Sequence, residues 1–430
     1  MEYIAIEGGR RLSGKVCVNV SKNAALPILA ATLLTGEESK LEGIPPLLDV
    51  FTMYDVLRQL GAEVREEGKV VRIWRSDPTR FEASHDLVRR MRASFLVMGP
   101  LLARHGRARI SLPGGCAIGS RPIDLHLKGL VAMGAVISVE HGYVEAKAAR
   151  LRGAEIHLDV PSVGATENLM MAATLAEGTT YIYNAAREPE VVDLAGFLNA
   201  MGAVVRGAGT DVVRISGVEE LKGASYRIIP DRIEAGTYLL AGAITGGEVV
   251  VENAVSHHLE AFLAKLREAG VEVEVSGDSI RAAASGRPRA VDVTTLPYPG
   301  FPTDLQPPFM AFLTLSEGTS LVTENIFEDR FRQVDELKRM GARIRLQGKV
   351  AMVEGVDHLT GAPVTATDLR AGAALVLAGL AARGTTEVRA VHHLDRGYVR
   401  LEETLAGLGA QIERRREPAD AKVPQLEPVP

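Results

Sequence analysis

Four short stretches of the chain hold residue types suited to proton transfer or to gripping an anion. The first is Leu112-Pro113-Gly114-Gly115-Cys116-Ala117-Ile118-Gly119-Ser120-Arg121-Pro122. Its glycines let backbone N–H groups approach an anion closely, and Arg121 adds a planar fork for carboxylate or phosphate. In such surroundings a thiol can be tuned away from its ordinary value of about 8.5. Cys116 could then donate or accept a proton, or attack carbon; a small buried residue in a turn fits the same letters. The second stretch, Val20-Ser21-Lys22-Asn23-Ala24-Ala25-Leu26-Pro27, puts a cation and an amide at the entry to an apolar helix. Asn23 could cap that helix and Lys22 could help hold an anion at its N-terminus, or the pair is an ordinary cap beside a solvated lysine. The third, Pro299-Gly300-Phe301-Pro302-Thr303-Asp304-Leu305-Gln306, offers Asp304 from a proline-bounded turn, as a helix cap or as a general base. The fourth is a set of arginines at turns: Arg92, Arg330, Arg370 and Arg396. Surface ion pairing accounts for any one of them; together, at equivalent places, they would line a cleft for several anionic groups.

Other chemistries lack their residues. The histidine pairs His257-His258 and His392-His393 have no i,i+4 ligand spacing with an acidic partner, so no metal is expected. No Gly-x4-Gly-Lys-Ser/Thr occurs and no Gly-x-Gly-x-x-Gly follows a strand, so neither triphosphate hydrolysis nor a dinucleotide cofactor is supported. A net charge of −5 argues against a general nucleic-acid surface. No apolar run of about 18 residues predicts a membrane span, and Met1–Arg10 does not read as a signal peptide. Two cysteines, Cys17 in a strand-like segment and Cys116 in the loop, make a weak disulfide framework for 430 residues. A reducing cytoplasm is the better reading.

The elements that must position these residues are repeated. Leu60-Gly61-Ala62-Glu63-Val64 returns, with variation, around Gly134, Gly202, Gly270, Gly341 and Gly409, once in about every 70 residues. Each copy follows a helix-periodic segment such as Val50–Leu60, Val192–Met201, Leu259–Ala269 or Tyr398–Leu408. The glycine suits the left-handed position after a helix, and the residues beyond it favour strand. A second glycine phrase, at Gly178, Gly246, Gly318 and Gly384 and more weakly at Gly36 and Gly106, follows short apolar helices. These are predicted at Ala24–Leu34, Ser94–Ala103, Glu167–Ala176, Gly236–Ile244, Phe309–Leu315 and Gly372–Ala381. Helices this apolar need cover on nearly all sides. Three units around a helical bundle, with sheets outside and two such halves, satisfy that need; a six-unit solenoid is the alternative. Beyond Arg416 the sequence turns proline-rich and non-periodic, and residues 417–430 are expected to be a disordered tail.

Together, Pro113-Gly114-Gly115-Cys116, Ser21-Lys22-Asn23-Ala24-Ala25-Leu26-Pro27, Phe301-Pro302-Thr303-Asp304 and Asp395-Arg396-Gly397-Tyr398 resemble the UDP-N-acetylglucosamine 1-carboxyvinyltransferase family. These are the bacterial enolpyruvyl transferases that open peptidoglycan synthesis. The resemblance runs from about residue 2 to about residue 415. It implies an inside-out α/β barrel of two domains, each of three βαβαββ-like units, with no cofactor. The domains would be 21–229, and 1–20 with 230–416, with Lys22 and Asp231 near the crossovers.

The resemblance further implies transfer of the enolpyruvyl group of phosphoenolpyruvate to the 3′-hydroxyl of UDP-N-acetylglucosamine, by addition and then elimination of phosphate. Asp304 would take the hydroxyl proton and Cys116 would protonate the methylene carbon. Acid and base must then come from opposite sides, with cations holding carboxylate and phosphate throughout. Lys22, Arg121 and Arg396 would take the phosphate, and Arg330 and Arg370 the phosphoenolpyruvate side more broadly. Asn23 would touch the sugar hydroxyl or the intermediate. Arg92, Arg121-Pro122-Ile123-Asp124-Leu125, Ser162-Val163-Gly164 and Ile326 match positions that bind the UDP-sugar. Fosfomycin, an epoxide phosphonate, would alkylate Cys116. Three departures bear on nucleotide affinity more than on reaction type. Leu48 and Val160 stand where some members have lysine, and Asp329 where asparagine is expected. Two rival functions are transfer to shikimate 3-phosphate, and a non-catalytic UDP-sugar-binding paralogue.

Overall fold

The structure is a computed structural model that describes residues 2–77, 79–112 and 123–416, with Arg90 and Arg92 described in backbone only. The expected tail at 417–430 lies outside the described residues.

Among the described residues, six mostly apolar helices form the interior: Lys22–Ala31, Met98–His105, Val163–Ala173, Arg232–Ile244, Gln306–Leu313 and Leu369–Ala381. In Arg232–Ile244 every residue after Arg232 is buried, so the helix has no solvent face. Five of the six start up to a turn before the apolar run that announces them, at polar or capped residues; Met98–His105 instead starts later, after a 3-10 segment at Arg92–Val97. A second, half-exposed helix follows in each unit: Leu48–Gln59, Asp124–Ala132, Pro189–Ala200, Glu260–Glu268, Gln333–Arg339 and Leu401–Gly407. The glycines that end these second helices all take left-handed backbone, with φ from 84° at Gly61 to 100° at Gly202 and Gly409. A β-carbon on Gly61 would also stand 2.2 Å from the Asp77 carbonyl oxygen, so the turn admits no side chain.

Outside the helices, the described residues form six four-stranded sheets of one plan. In the second unit, Glu82–Ala83 runs parallel to Arg107–Ser111, which pairs antiparallel with Tyr143–Lys147 and through it with Val136–Glu140. Three of the sheets borrow a strand from far along the chain. Ser225–Arg227 runs parallel to Ser39–Glu42 and completes the first sheet. Ser13–Cys17 completes the fourth beside Glu248–Glu252, and Glu2–Glu7 lies between Thr385–Arg389 and Gln411–Arg416 in the sixth. Helices inside and sheets outside make the inside-out α/β barrel, and the borrowed strands close each ring of three units, which a solenoid would leave open. Two hydrophobic clusters result, one of residues between 20 and 228, the other of residues 4–18 and 233–412. The chain crosses between them twice, side by side: Val20 bridges Pro230, the Ser21 N–H donates to the Ile229 carbonyl (2.7 Å), and the Asp231 N–H donates to that of Asn19 (2.8 Å).

Candidate active site

The crossings bring the first turns of several buried helices together. Asp231 caps Arg232–Ile244, accepting from the N–H groups of Ile233 (2.8 Å) and Glu234 (3.0 Å), and its other oxygen accepts from the Lys22 N–H at 3.2 Å. Lys22 opens its own helix, but the cap there is Ser21, whose hydroxyl accepts from the Ala24 N–H (3.3 Å). Asn23 is therefore the second helical residue and not the cap, because the extended residue Ser21 already supplies the oxygen at capping distance. Helix N-termini carry partial positive charge and free N–H groups, so their meeting favours anions.

Two carboxylates organise the cations. Asp49, on the first turn of Leu48–Gln59, accepts from the Lys22 ammonium at 3.2 Å and from Arg396 Nε at 2.8 Å. Burial alone would raise the Asp49 carboxyl, but Lys22 and Arg396 outweigh it and hold it below its ordinary value. Burial pushes the Lys22 ammonium down, opposed by Asp49 and reinforced by Arg370 and Arg396. Asp304 sits in the turn Thr303–Leu305, ahead of a helix whose cap position, Leu305, makes no side-chain bond. It is no cap: Oδ1 accepts from Arg330 (2.8 Å), and Oδ2 from Arg370 Nε (3.2 Å) and a terminal nitrogen (3.0 Å). Arg330 and Arg370 are 3% and 4% exposed, which rules out surface pairing for them. Burial works against the Arg370 charge, yet Asp304 prevails and keeps it above its ordinary value. Arg370 also donates to the Tyr398 hydroxyl (3.1 Å), which meets Thr237 Oγ1 at 2.9 Å.

The other expected binding residues are divided between the halves, with residues 123–125 and 162–164 in the first and Ile326 in the second. Ser162 caps Val163–Ala173 through the Ala165 N–H (3.3 Å), so Val163 and Gly164 form its first turn. A β-carbon on Gly164 would touch the His126 ring at 3.4 Å. His126 belongs to the helix Asp124–Ala132, which Ile123 precedes and Asp124 and Leu125 open. Ile326 follows Glu324, a buried carboxylate that accepts from the Ile326 N–H (2.8 Å), from Thr295 (2.8 Å) and, on its other oxygen, from Thr303 (3.0 Å). It ties the Ile326 loop to the turn of Asp304. Cys116, Arg121 and Pro122 lie outside the described residues, as does the Arg92 side chain. Leu48 and Val160 are both exposed, and Asp329 faces Arg332 at 3.9 Å.

Asp49 and Glu324 were not among the candidates read from sequence. Nor was the cross-half bridge in which Arg232 donates to both oxygens of Glu190 (3.0 and 3.3 Å). Only the acid in the first turn of a helix hinted at Asp49. Among the described residues, no group of three His, Cys, Asp or Glu could hold a metal, and no helix is long and apolar enough to cross a membrane.

Residues 6–405 match the EPSP synthase (3-phosphoshikimate 1-carboxyvinyltransferase) family. A UDP-N-acetylglucosamine 1-carboxyvinyltransferase 2 of Carboxydothermus hydrogenoformans is 59% identical over 96% of this chain and 99% of its own length. A UDP-N-acetylglucosamine 1-carboxyvinyltransferase of Geobacter metallireducens is 55% identical over 97% of this chain and all of its own. Among solved structures, the enolpyruvyl transferase NikO from Streptomyces tendae aligns over 97% of this chain and 99% of its own, with a TM-score of 0.86 and 28% identity. An EPSP synthase from Acinetobacter baumannii aligns over 97% of this chain and 100% of its own, with a TM-score of 0.73; at 19% identity it speaks to the fold alone. The chain belongs to the EPSP synthase family, and within it to the UDP-N-acetylglucosamine 1-carboxyvinyltransferases.

Proposed function

We propose that this enzyme transfers the enolpyruvyl group of phosphoenolpyruvate to the 3′-hydroxyl of UDP-N-acetylglucosamine and releases phosphate, the first committed step of peptidoglycan synthesis. The observation that carries this is the convergence of Lys22, Arg396, Arg330 and Arg370 around two carboxylates where buried helices begin, in a chain 59% identical to a relative of that name. Phosphoenolpyruvate carries a carboxylate and a phosphate, and such a cluster of fixed cations suits it.

In this reading Asp304 takes the proton of the 3′-hydroxyl as its oxygen attacks C2 of phosphoenolpyruvate. Cys116 delivers a proton to C3, giving a tetrahedral ketal. Loss of a proton from the new methyl group then expels phosphate, re-forms the C2–C3 double bond and leaves the sugar as an enolpyruvyl ether. Lys22, Arg121 and Arg396 hold the phosphate, Arg330 and Arg370 the rest of phosphoenolpyruvate, and Asn23 the sugar hydroxyl. Arg92, Arg121 through Leu125, Ser162 through Gly164, and Ile326 hold the UDP-sugar. Asp304 accepts from Arg330 on one oxygen and from Arg370 on the other, and a carboxylate has about four lone-pair sites, so the arginines aim it without barring it from taking a proton.

We further take the chain as two domains, 21–229 and 1–20 with 230–416, which the two separate hydrophobic clusters support. The same reading makes it a cytoplasmic protein serving cell shape and division, with Cys116 as the thiol that fosfomycin alkylates. The test is release of inorganic phosphate from phosphoenolpyruvate with UDP-N-acetylglucosamine as acceptor. Turnover with shikimate 3-phosphate and none with the UDP-sugar would overturn the proposal, and so would UDP-sugar binding without turnover.

A further inference from the structure

We infer that Asp49 is a positioning residue that stands in for the substrate's anion: it holds the Lys22 ammonium and the Arg396 guanidinium together across the two halves, and yields them to phosphate when phosphoenolpyruvate binds. The inference rests on Lys22 and Arg396 as phosphate-binding residues in the function proposed above.

Asp49 is 3% exposed, and both its oxygens are engaged. Its partners come from opposite halves. Lys22 opens a helix of the first cluster, and Arg396 ends the turn Val391–Arg396 in the second, 347 residues along the chain from Asp49. Lys22 is 9% exposed and loses its hydration, whereas the Arg396 side chain keeps 35% of its surface; two cations brought together still repel each other, and a negative charge between them offsets that cost. Asp49 supplies that charge. Its own helix has no need of it as a cap, since it lies one residue inside the helix start, although an acid in that first turn is favoured by the helix dipole.

A phosphate arriving at Lys22 and Arg396 brings a second anion to the same two cations. Asp49 then becomes a like-charged neighbour, and the balance shifts towards releasing it. The other groups that act on Lys22 are Arg370, Arg396 and Asp304, and the Lys22 backbone N–H donates to Asp231. His393 lies near Arg396, and burial keeps its imidazole below its ordinary value. Without Asp49, Lys22 loses the carboxylate that most opposes its loss of a proton.

The decisive comparison is steady-state kinetics of the full chain from pH 6 to 10 for wild type, Asp49→Asn and Asp49→Glu, with phosphoenolpyruvate varied. Asp49→Asn keeps the shape and removes the charge. Its KM for phosphoenolpyruvate should fall because a competing anion is gone, and kcat should fall about tenfold or more because the cations lose their positioner. The alkaline limb of kcat/KM should move to lower pH by about one unit. Asp49→Glu should keep the limb at the wild-type position. A merely structural Asp49 would leave the limb unmoved or raise KM, and either result overturns the inference. Should Asp49→Asn fail to fold, the carboxyl carbon resonance of Asp49 in the wild type is followed while inorganic phosphate is added. It should move to saturation; a resonance that stays put, or no phosphate binding, also overturns the inference. If the wild type binds phosphate and moves Asp49 but turns over no UDP-N-acetylglucosamine, the function proposed above fails and the role of Asp49 stands.

Discussion

Asp304 receives hydrogen bonds from two buried arginines, one on each oxygen. That clamp aims the carboxylate, which as the proposed base accepts the hydroxyl proton once substrate is in place. Asp304→Asn keeps the outline of the side chain and removes that ability. Phosphate release should drop by roughly a hundredfold to ten-thousandfold, while calorimetry finds UDP-N-acetylglucosamine still bound. At this scale the sequence is legible where a residue is foreign to its repeat. Lys22 and Asp304 head helices that could have begun with any good cap, and the arginines are more than the turns require. Asp49 was not legible, because an acid in a first helical turn is ordinary and its distant partner, Arg396, is set by the closure of the whole chain. Glu324 was hidden likewise: its partners Thr295 and Thr303 have no spacing that marks them.

The interior helices were legible from their composition, and the turns that end the outer helices from the recurring glycine. Their starting points were not, because their polar first turns are buried here by segments distant in sequence. Val163–Ala173 shows what this entails. Glu167 lies on it, 3% exposed. Burial, and then the charges of Glu190 and Glu188, push its carboxyl well above the ordinary carboxylate range. A raised folded-state value means that the folded protein holds a proton which the unfolded chain has already released. Stability from this group is therefore full below the unfolded value and is lost as pH rises towards the folded one. Glu167→Gln does not titrate, so thermal unfolding at pH 8 should show it more stable than wild type by roughly 1–3 kcal/mol. Near pH 4 the two should unfold alike.

Between the halves, the crossing strands are accompanied by the pair Glu190–Arg232, nearly closed to solvent, and by the Tyr298 N–H donating to Glu188 at 3.3 Å. Removing Arg232 leaves Glu190 beside two other buried acids. Arg232→Ala should cost about 3–5 kcal/mol, and scanning calorimetry should resolve two transitions, one for each hydrophobic cluster, if the pair couples them in a single one. The count of units was legible from the glycine period, but the borrowed strands were not: nothing in Glu2–Glu7 or Ser13–Cys17 says which distant segment they will join. Their pairing also sets an order in time. During synthesis the first cluster can close once Ser225–Arg227 reaches Ser39–Glu42. Ser13–Cys17 must wait for Glu248–Glu252, and Glu2–Glu7 for the strands at Thr385 and Gln411. Ile4 and Ile6, wholly buried in the finished fold, thus leave the ribosome long before the strands that cover them. Through most of translation they form an unpaired apolar edge of the kind that sticks to other chains.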